Sequence, residues 1–177
     1  MKLQADDFEL FGLDRQFTQD RAAIDARWKA LQRQAHPDKF VSHGPAAQRI
    51  AMQWSVRINE AYQRLKDPIS RAAYLCELAG FAVNAHSNTA MPADFLMQQM
   101  QWREELEQAA DAGADAEADA LQALTATVQS SKTRLLQDFA TLLDGHKDYA
   151  AAVAAVRALM FIDKFTKDLH QRLDHLA

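Results

Sequence analysis

Gln32-Arg33-Gln34-Ala35-His36-Pro37-Asp38-Lys39-Phe40 decides how this chain is read. A helical pattern runs into His36 and stops at Pro37. Proline disfavours helix in the residue before it and has no backbone N–H to donate. The next helical pattern starts only near Pro45, which suits the first turn of a helix. Two helices joined through a short charged segment make a hairpin with an exposed tip, expected here to be a loop.

Working outward, the helix before the tip carries Ile24, Trp28, Leu31 and Ala35 at spacings of four, three and four, one apolar stripe. Lys29 and Arg33 stand on its other side, with Arg27 nearby, so the outer face is basic. Thr18 is the expected N-cap, with Arg21 where a complete capping box would have Glu. After the tip, Ile50, Trp54, Ile58, Ala61 and Leu65 form the buried stripe expected of the third helix, which Lys66-Asp67-Pro68 ends. A short first helix after Asp6 or Asp7 brings Phe8, Phe11 and Leu13, with Gly12 placed to stop it early. A fourth, about Ile69 to Ala79, adds Ala72, Leu75 and Leu78.

Composition agrees with an all-α protein. The 177 residues include 5 Gly and 4 Pro, with 49% hydrophobic and 25% charged residues. Residues 1–80 hold 12 Lys+Arg and 10 Asp+Glu; residues 81–177 hold 8 and 14. The halves therefore differ in net charge, +2 against −6, as two units with different partners would. The basic excess is too slight for nucleic-acid binding. No apolar run approaches the ~20 residues of a membrane span, and the early first helix leaves no room for a transit sequence, so a cytoplasmic location is expected. The single cysteine, Cys76, sits in an apolar helical pattern and is expected to be a buried structural thiol.

Three units of organisation result: residues 1–79, a connection over 80–91 that includes Asn84, His86, Ser87, Asn88 and Thr89, and an antiparallel three-helix bundle over 92–177. Its helices are expected from Pro92 to about Ala112, Asp115 to Asp144 and Asp148 to Leu176, with breaks at Gly113 and Gly145. Leu121, Leu124, Val128, Leu135, Phe139 and Leu142 share one helical phase; Leu159, Ile162, Phe165, Leu169 and Leu173 share another. In the first of these helices Phe95, Trp102, Leu106 and Ala109 fall within about 60° and suffice as a core stripe. Leu96, Met97 and Met100 fall on an arc roughly 160° away, with Gln101, Glu104 and Gln108 beside it. A bundle helix needs one apolar face. The second packs against the first unit or serves a partner, and periodicity leaves both open; methionines suit an adaptable binding surface.

Several motifs together carry a family resemblance. His36-Pro37-Asp38, the helix end Leu10-Phe11-Gly12-Leu13, Ile58-Asn59-Glu60-Ala61-Tyr62 and Arg71-Ala72-Ala73-Tyr74 resemble a J-domain over about residues 6–79. Phe95-Leu96-Met97-Gln98-Gln99-Met100, Arg103-Glu104-Glu105-Leu106 and Arg157-Ala158-Leu159-Met160-Phe161-Ile162-Asp163-Lys164 are similar to the HscB family, J-domain co-chaperones of iron–sulfur cluster assembly. The resemblance implies an L-shaped molecule in the bacterial cytoplasm. It implies a tip that engages a DnaK/HscA-type ATPase chaperone through His36, Pro37, Asp38, Lys29 and Arg33, with Arg27 and Lys39 as weaker contributors. It implies a bundle that binds an IscU-type cluster scaffold through Leu96, Met97, Met100, Gln101, Glu104, Gln108 and Phe161. Gln101 and Gln108 depart from the family pattern, which favours Glu, so the surface should rely more on its apolar patch.

The chemistry of the tip is suited to such a contact. Pro37 stiffens it, Asp38 offers an acceptor to an arginine, His36 offers a donor, and the basic face steers an acidic partner. No nucleophile, pocket or phosphate-binding loop accompanies His36 and Asp38, so no enzyme and no cofactor is expected. His43, His86, His146, His170 and His175 lack paired ligand spacing and are expected to be solvated rather than metal-binding. Two other readings remain: a J-protein with another client, in which the second face packs internally, and a helical enzyme built on His36 and Asp38.

Overall fold

The computed structural model describes residues 5–84, 90–111 and 113–176. Residues 85–89 of the expected connection, with His86, Ser87, Asn88 and Thr89, and the expected helix end at Ala112 lie outside the described residues. Among the described residues every regular element is a helix: α1 (Asp7–Phe11), α2 (Arg21–Ala35), a 3₁₀ segment (Pro37–His43), α3 (Pro45–Lys66), α4 (Pro68–Leu78), α5 (Ala93–Ala110), α6 (Ala114–Phe139), a π-helical turn (Ala140–His146) and α7 (Tyr149–Leu176). It divides into two compact units, Met1–Leu75 and Cys76–Ala177, and the division falls inside α4.

In the first unit α2 and α3 pair as a hairpin around Ile24, Ala35, Ala51, Ile58, Ala61 and Leu65, all buried. Trp28 stacks on Tyr62 at 4.8 Å. A polar clamp closes the pair nearer the tip. Trp28 Nε1–H and Gln32 Nε2–H both donate to Asn59 Oδ1, at 2.9 and 2.7 Å, and Ser55 Oγ–H donates to Gln32 Oε1 at 2.9 Å. The N-cap of α2 is Asp20, whose carboxylate accepts from the Ala22 N–H, and not Thr18. A carboxylate is both a better acceptor and favoured by the positive helix end.

Helix α1 is held by charge as well as by Phe8 and Phe11. Asp7 is fully buried and pairs with Arg57 and Arg64 of α3, each at 2.6 Å. Its backbone N–H donates to the Tyr74 hydroxyl at 3.1 Å, so α4 also grips α1. Gly12 ends α1 in the left-handed conformation at φ 64°, which its missing Cβ allows. Asp67 ends α3 and caps α4, accepting from the Ser70 N–H at 2.7 Å.

Two expected core positions of the first four helices are corrected. Ile50 is 56% exposed, and Ala51 takes the inward place. At this level α3 packs on the 3₁₀ segment with Ala51 turned inward, and Ile50 borders a groove that it shares with Ala35, Phe40 and Trp54. Leu78 is exposed as well, near the end of α4.

In the second unit α7 is the central element. From Ala152 to Leu159 nearly every side chain is buried, as in a helix covered on all sides. The core adds Phe95 and Trp102 of α5, Leu121, Leu124, Val128 and Phe139 of α6, and Ile162, Phe165 and Leu169 further along α7. Leu106, Leu135 and Leu173 are half-buried. The expected helix to Asp144 ends as an α-helix at Phe139 and widens into the π-helical turn, where Leu143 rather than Leu142 is fully buried. A π turn carries an extra residue, which moves the inward phase along by one. Lys147, at φ 56°, then caps it by donating its N–H to the Leu142 carbonyl.

One charge is buried among these apolar groups. Arg157 donates to the Val83 carbonyl at 2.7 Å and the Ala90 carbonyl at 3.1 Å, tying these two residues to α7. Cys76 is completely buried, and burial pushes its thiol up to about 11.

Candidate functional site

The tip is not an open loop. His36 takes extended backbone angles (φ −62°, ψ 125°), forced by the proline that follows, and Pro37 opens a tight 3₁₀ turn. Lys39 N–H donates to the His36 carbonyl at 3.0 Å. The Asp38 N–H donates to His36 Nδ1 at 3.3 Å, and the Asp38 carboxylate lies 3.5 Å from the same nitrogen. An Nδ1 that accepts assigns the proton of neutral His36 to Nε2, leaving one ring donor for a partner. The His36 and Asp38 side chains are 55% and 86% exposed. The His36 side chain and the Asp38 backbone therefore brace each other while the Asp38 carboxylate remains in water. Arg27, Lys29, Arg33 and Lys39 are all exposed, so the basic outer face expected of α2 is present. Pro37 is half-buried and lines a groove at the start of α3 together with Pro45, Gln48, Arg49 and Met52.

The second group of residues lies on α5. Phe95 and Trp102 point into the bundle, in edge-to-face contact at 5.8 Å. Leu96, Met97 and Met100 stay outside, 38%, 75% and 69% exposed. With α5 already filling its share of the core, the second apolar face is left unpartnered within its unit. Gln101 donates to Glu105 at 2.9 Å and Gln108 to Glu104 at 3.2 Å, so both amides are engaged along the helix. Phe161 of α7 is half-buried, as the margin of its stripe predicts. It stacks on Phe165 at 5.8 Å and meets the edge of Phe95 at 5.9 Å. The open groove along this face is lined by Asp94, Met97, Gln98, Met100, Gln101, Arg103, Glu104 and Glu107.

Some residues that build these surfaces were not singled out from the sequence. Arg103 holds its guanidinium over the Phe161 ring, 5.5 Å from the centroid. Gln98 accepts from the Ser131 hydroxyl at 2.9 Å and fixes α5 on α6. Arg103 stands seven residues after Leu96, a spacing that marks it as a neighbour of the patch once the patch is known. Among the described residues, no group of three or more His, Cys, Asp or Glu side chains is placed to hold a metal ion, and no helix is long and apolar enough to cross a membrane.

A helical hairpin with a braced, exposed His-Pro-Asp turn, followed by a three-helix bundle with an apolar outer face, defines a J-domain co-chaperone as the class of protein. Residues 91–170 match the family model described as the HSCB C-terminal oligomerisation domain. The chain is 47% identical over 176 residues to the co-chaperone protein HscB homolog of Burkholderia multivorans, covering 99% of this chain and 98% of that relative. It is 46% identical over 168 residues to the HscB homolog of Bordetella petrii, covering 94% and 96%. Among solved structures, the chaperone HscB from Vibrio cholerae matches with a TM-score of 0.87 at 38% identity, covering 97% of this chain and all of that one. The human co-chaperone protein HscB shares the fold, with a TM-score of 0.84 at 23% identity, covering 97% and 84%. The chain belongs to the HscB family of co-chaperones, which serves iron–sulfur cluster assembly.

Proposed function

We propose that this co-chaperone works as an adaptor with two contacts. The His36-Pro37-Asp38 turn and the basic face of α2 engage the ATPase domain of a DnaK/HscA-type chaperone and stimulate ATP hydrolysis. The outer face of α5, with Phe161, binds an IscU-type cluster scaffold. The domain reading is a J-domain over residues 1–79, a connection over 80–91 and a scaffold-binding bundle over 92–177. The site of action is the bacterial cytoplasm, and the chain itself catalyses nothing.

The observation that carries this reading is the pair of exposed sites of opposite character in one chain: a charged turn at His36–Asp38, and an apolar face at Leu96, Met97 and Met100 on a helix whose core face is already filled. Asp38 supplies an accessible carboxylate for a charge-assisted hydrogen bond, and the bracing by His36 lowers the entropy lost on docking. Lys29 and Arg33 raise the rate of encounter with an acidic surface. Covalent linkage of the two sites makes client presentation and ATPase triggering effectively intramolecular.

The test is the chaperone's ATPase rate with and without scaffold. Asp38→Asn should give no stimulation at any scaffold level. A Leu96/Met97/Met100 triple-alanine variant should keep basal stimulation and lose the synergy with scaffold. Full stimulation by Asp38→Asn would remove the turn from the mechanism. Intact synergy in the triple variant would remove the α5 face.

A further inference from the structure

Helix α3 carries apolar groups that its hairpin does not use. Ala51, Ile58, Ala61 and Leu65 turn inward. Met52 and Val56 stay outside, 60% and 52% exposed. They line one groove with Arg49, Gln53, Arg57 and Glu60. At about 100° per residue, Arg49, Met52, Gln53, Val56 and Glu60 share an arc about 100° wide on the outer side of the helix. From Arg49 the steps to Gln53, Val56 and Glu60 are four, three and four residues, the spacing of a helix–helix seam.

The order of charges along this seam is what identifies its occupant. Arg49 stands at one end and Glu60 at the other, about 16 Å apart along the helix axis, with the apolar groups between them. None of the ion pairs among the described residues involves Arg49 or Glu60. Arg57, by contrast, is committed to Asp7 at 2.6 Å and to the Ala5 carbonyl at 3.3 Å. An apolar centre between polar ends is the anatomy of a protein interface.

Turned end over end, this face matches itself. A two-fold axis opposite residues 54 and 55 sets Arg49 of each copy against Glu60 of the other and covers Met52 and Val56 of both. Parallel pairing sets arginine on arginine and glutamate on glutamate, and is disfavoured. We propose that the outer face of α3 is a self-association surface, occupied by α3 of a second copy of this chain in antiparallel two-fold contact. One helix face offers well under the ~800 Å² per partner of a standard interface, so the pair forms reversibly and at high protein concentration. Arg49 and Met52 also line the groove that contains Pro37. A second copy seated on α3 therefore flanks the His36–Asp38 turn, and pairing competes with docking of the chaperone. That competition rests on the reading of the turn as the chaperone site; the self-association does not.

Sedimentation velocity of the full chain tests the surface, from about 10 µM to about 1 mM and at low and high salt. Wild type should pass from one copy to two across this range, and less readily at high salt. Arg49→Glu or Glu60→Arg alone places two like-charge contacts in the pair and should weaken it at least about tenfold. The two changes combined in one chain should restore pairing, and so should an equimolar mixture of the two single variants. Met52→Ser/Val56→Ser should weaken pairing without changing its salt dependence. Met97→Ala/Met100→Ala should pair as wild type does. Single copies of wild type at every concentration would overturn the proposal. So would pairing that survives both single reversals, or pairing lost only in the α5 variant. Adding the chaperone's ATPase domain should convert pairs into one-to-one complexes. A species holding two chains and the ATPase domain together would overturn the competition and leave the α3 surface standing.

Discussion

The turn at His36–Asp38 and the outer face of α5 are both exposed, yet they are built in different ways. The turn is local. Three consecutive residues, a proline constraint and one backbone N–H to His36 Nδ1 set its shape. The α5 face is assembled. Leu96, Met97 and Met100 come from one helix, and Phe161 comes from another more than sixty positions later. The first offers a charge and donors in fixed directions, and the second offers area. A charged contact is specific and sensitive to salt, whereas an apolar one is adaptable and less so. The difference teaches that the turn needs the hairpin only as a support, while the α5 face exists only once the bundle is folded.

The sharpest break in this comparison is Asp38→Asn. It should reduce chaperone ATPase stimulation to the unstimulated rate while leaving scaffold binding, read by calorimetry, at its wild-type value. Next come two core changes that should separate the units. Trp102→Ala removes a buried side chain that touches Phe95 and Phe165, and should cost the bundle about 3–5 kcal/mol. Scaffold affinity should fall with it, while stimulation in the absence of scaffold persists. Asp7→Ala removes the buried partner of Arg57 and Arg64, which reach solvent in part, and should cost the hairpin about 1–3 kcal/mol. Denaturant unfolding followed in each unit should show which half loses stability.

Salt supplies a smaller test. Raising ionic strength should weaken the chaperone contact several-fold through Lys29, Arg33 and Asp38, and the scaffold contact less. The smallest effect is on pH. Burial raises the Cys76 thiol from 9.0 to about 11 in the folded chain, so its neutral form is favoured there. Its contribution is complete below about pH 9 and is lost as pH rises from 9 to about 11. The melting temperature of wild type should therefore fall more steeply over that window than that of Cys76→Ala.

Most helices were legible because apolar spacing reports directly on which face is buried. Ile24, Ile58, Leu65, Phe95, Trp102, Leu159 and Ile162 all lie inside, as their spacing requires. The two exposed sites were legible for opposite reasons. Pro37 interrupts a strong helical pattern, and Leu96, Met97 and Met100 add apolar groups where the pattern has no use for them. The misses occur where a neighbour decides the packing. Ile50 points outward because Ala51 fits against the hairpin tip, and Leu143 replaces Leu142 because the chain widens into a π turn. Asp20 displaced Thr18 as the cap of α2, since either residue could supply an oxygen and only the start of the helix chooses.

By itself, then, the sequence determined the all-α class, the helical hairpin, the His-Pro-Asp turn and the surplus apolar face of α5. Each of these depends on near neighbours in the chain, through backbone preference or helical periodicity. Tertiary structure alone decided that Asp7 would be buried between Arg57 and Arg64, that Arg157 would hold the carbonyls of Val83 and Ala90, and that Arg103 would lie on Phe161. Charged residues carry no periodic signal of burial. Whether a charge is solvated or enclosed depends on which distant side chain folding brings within a few ångströms of it.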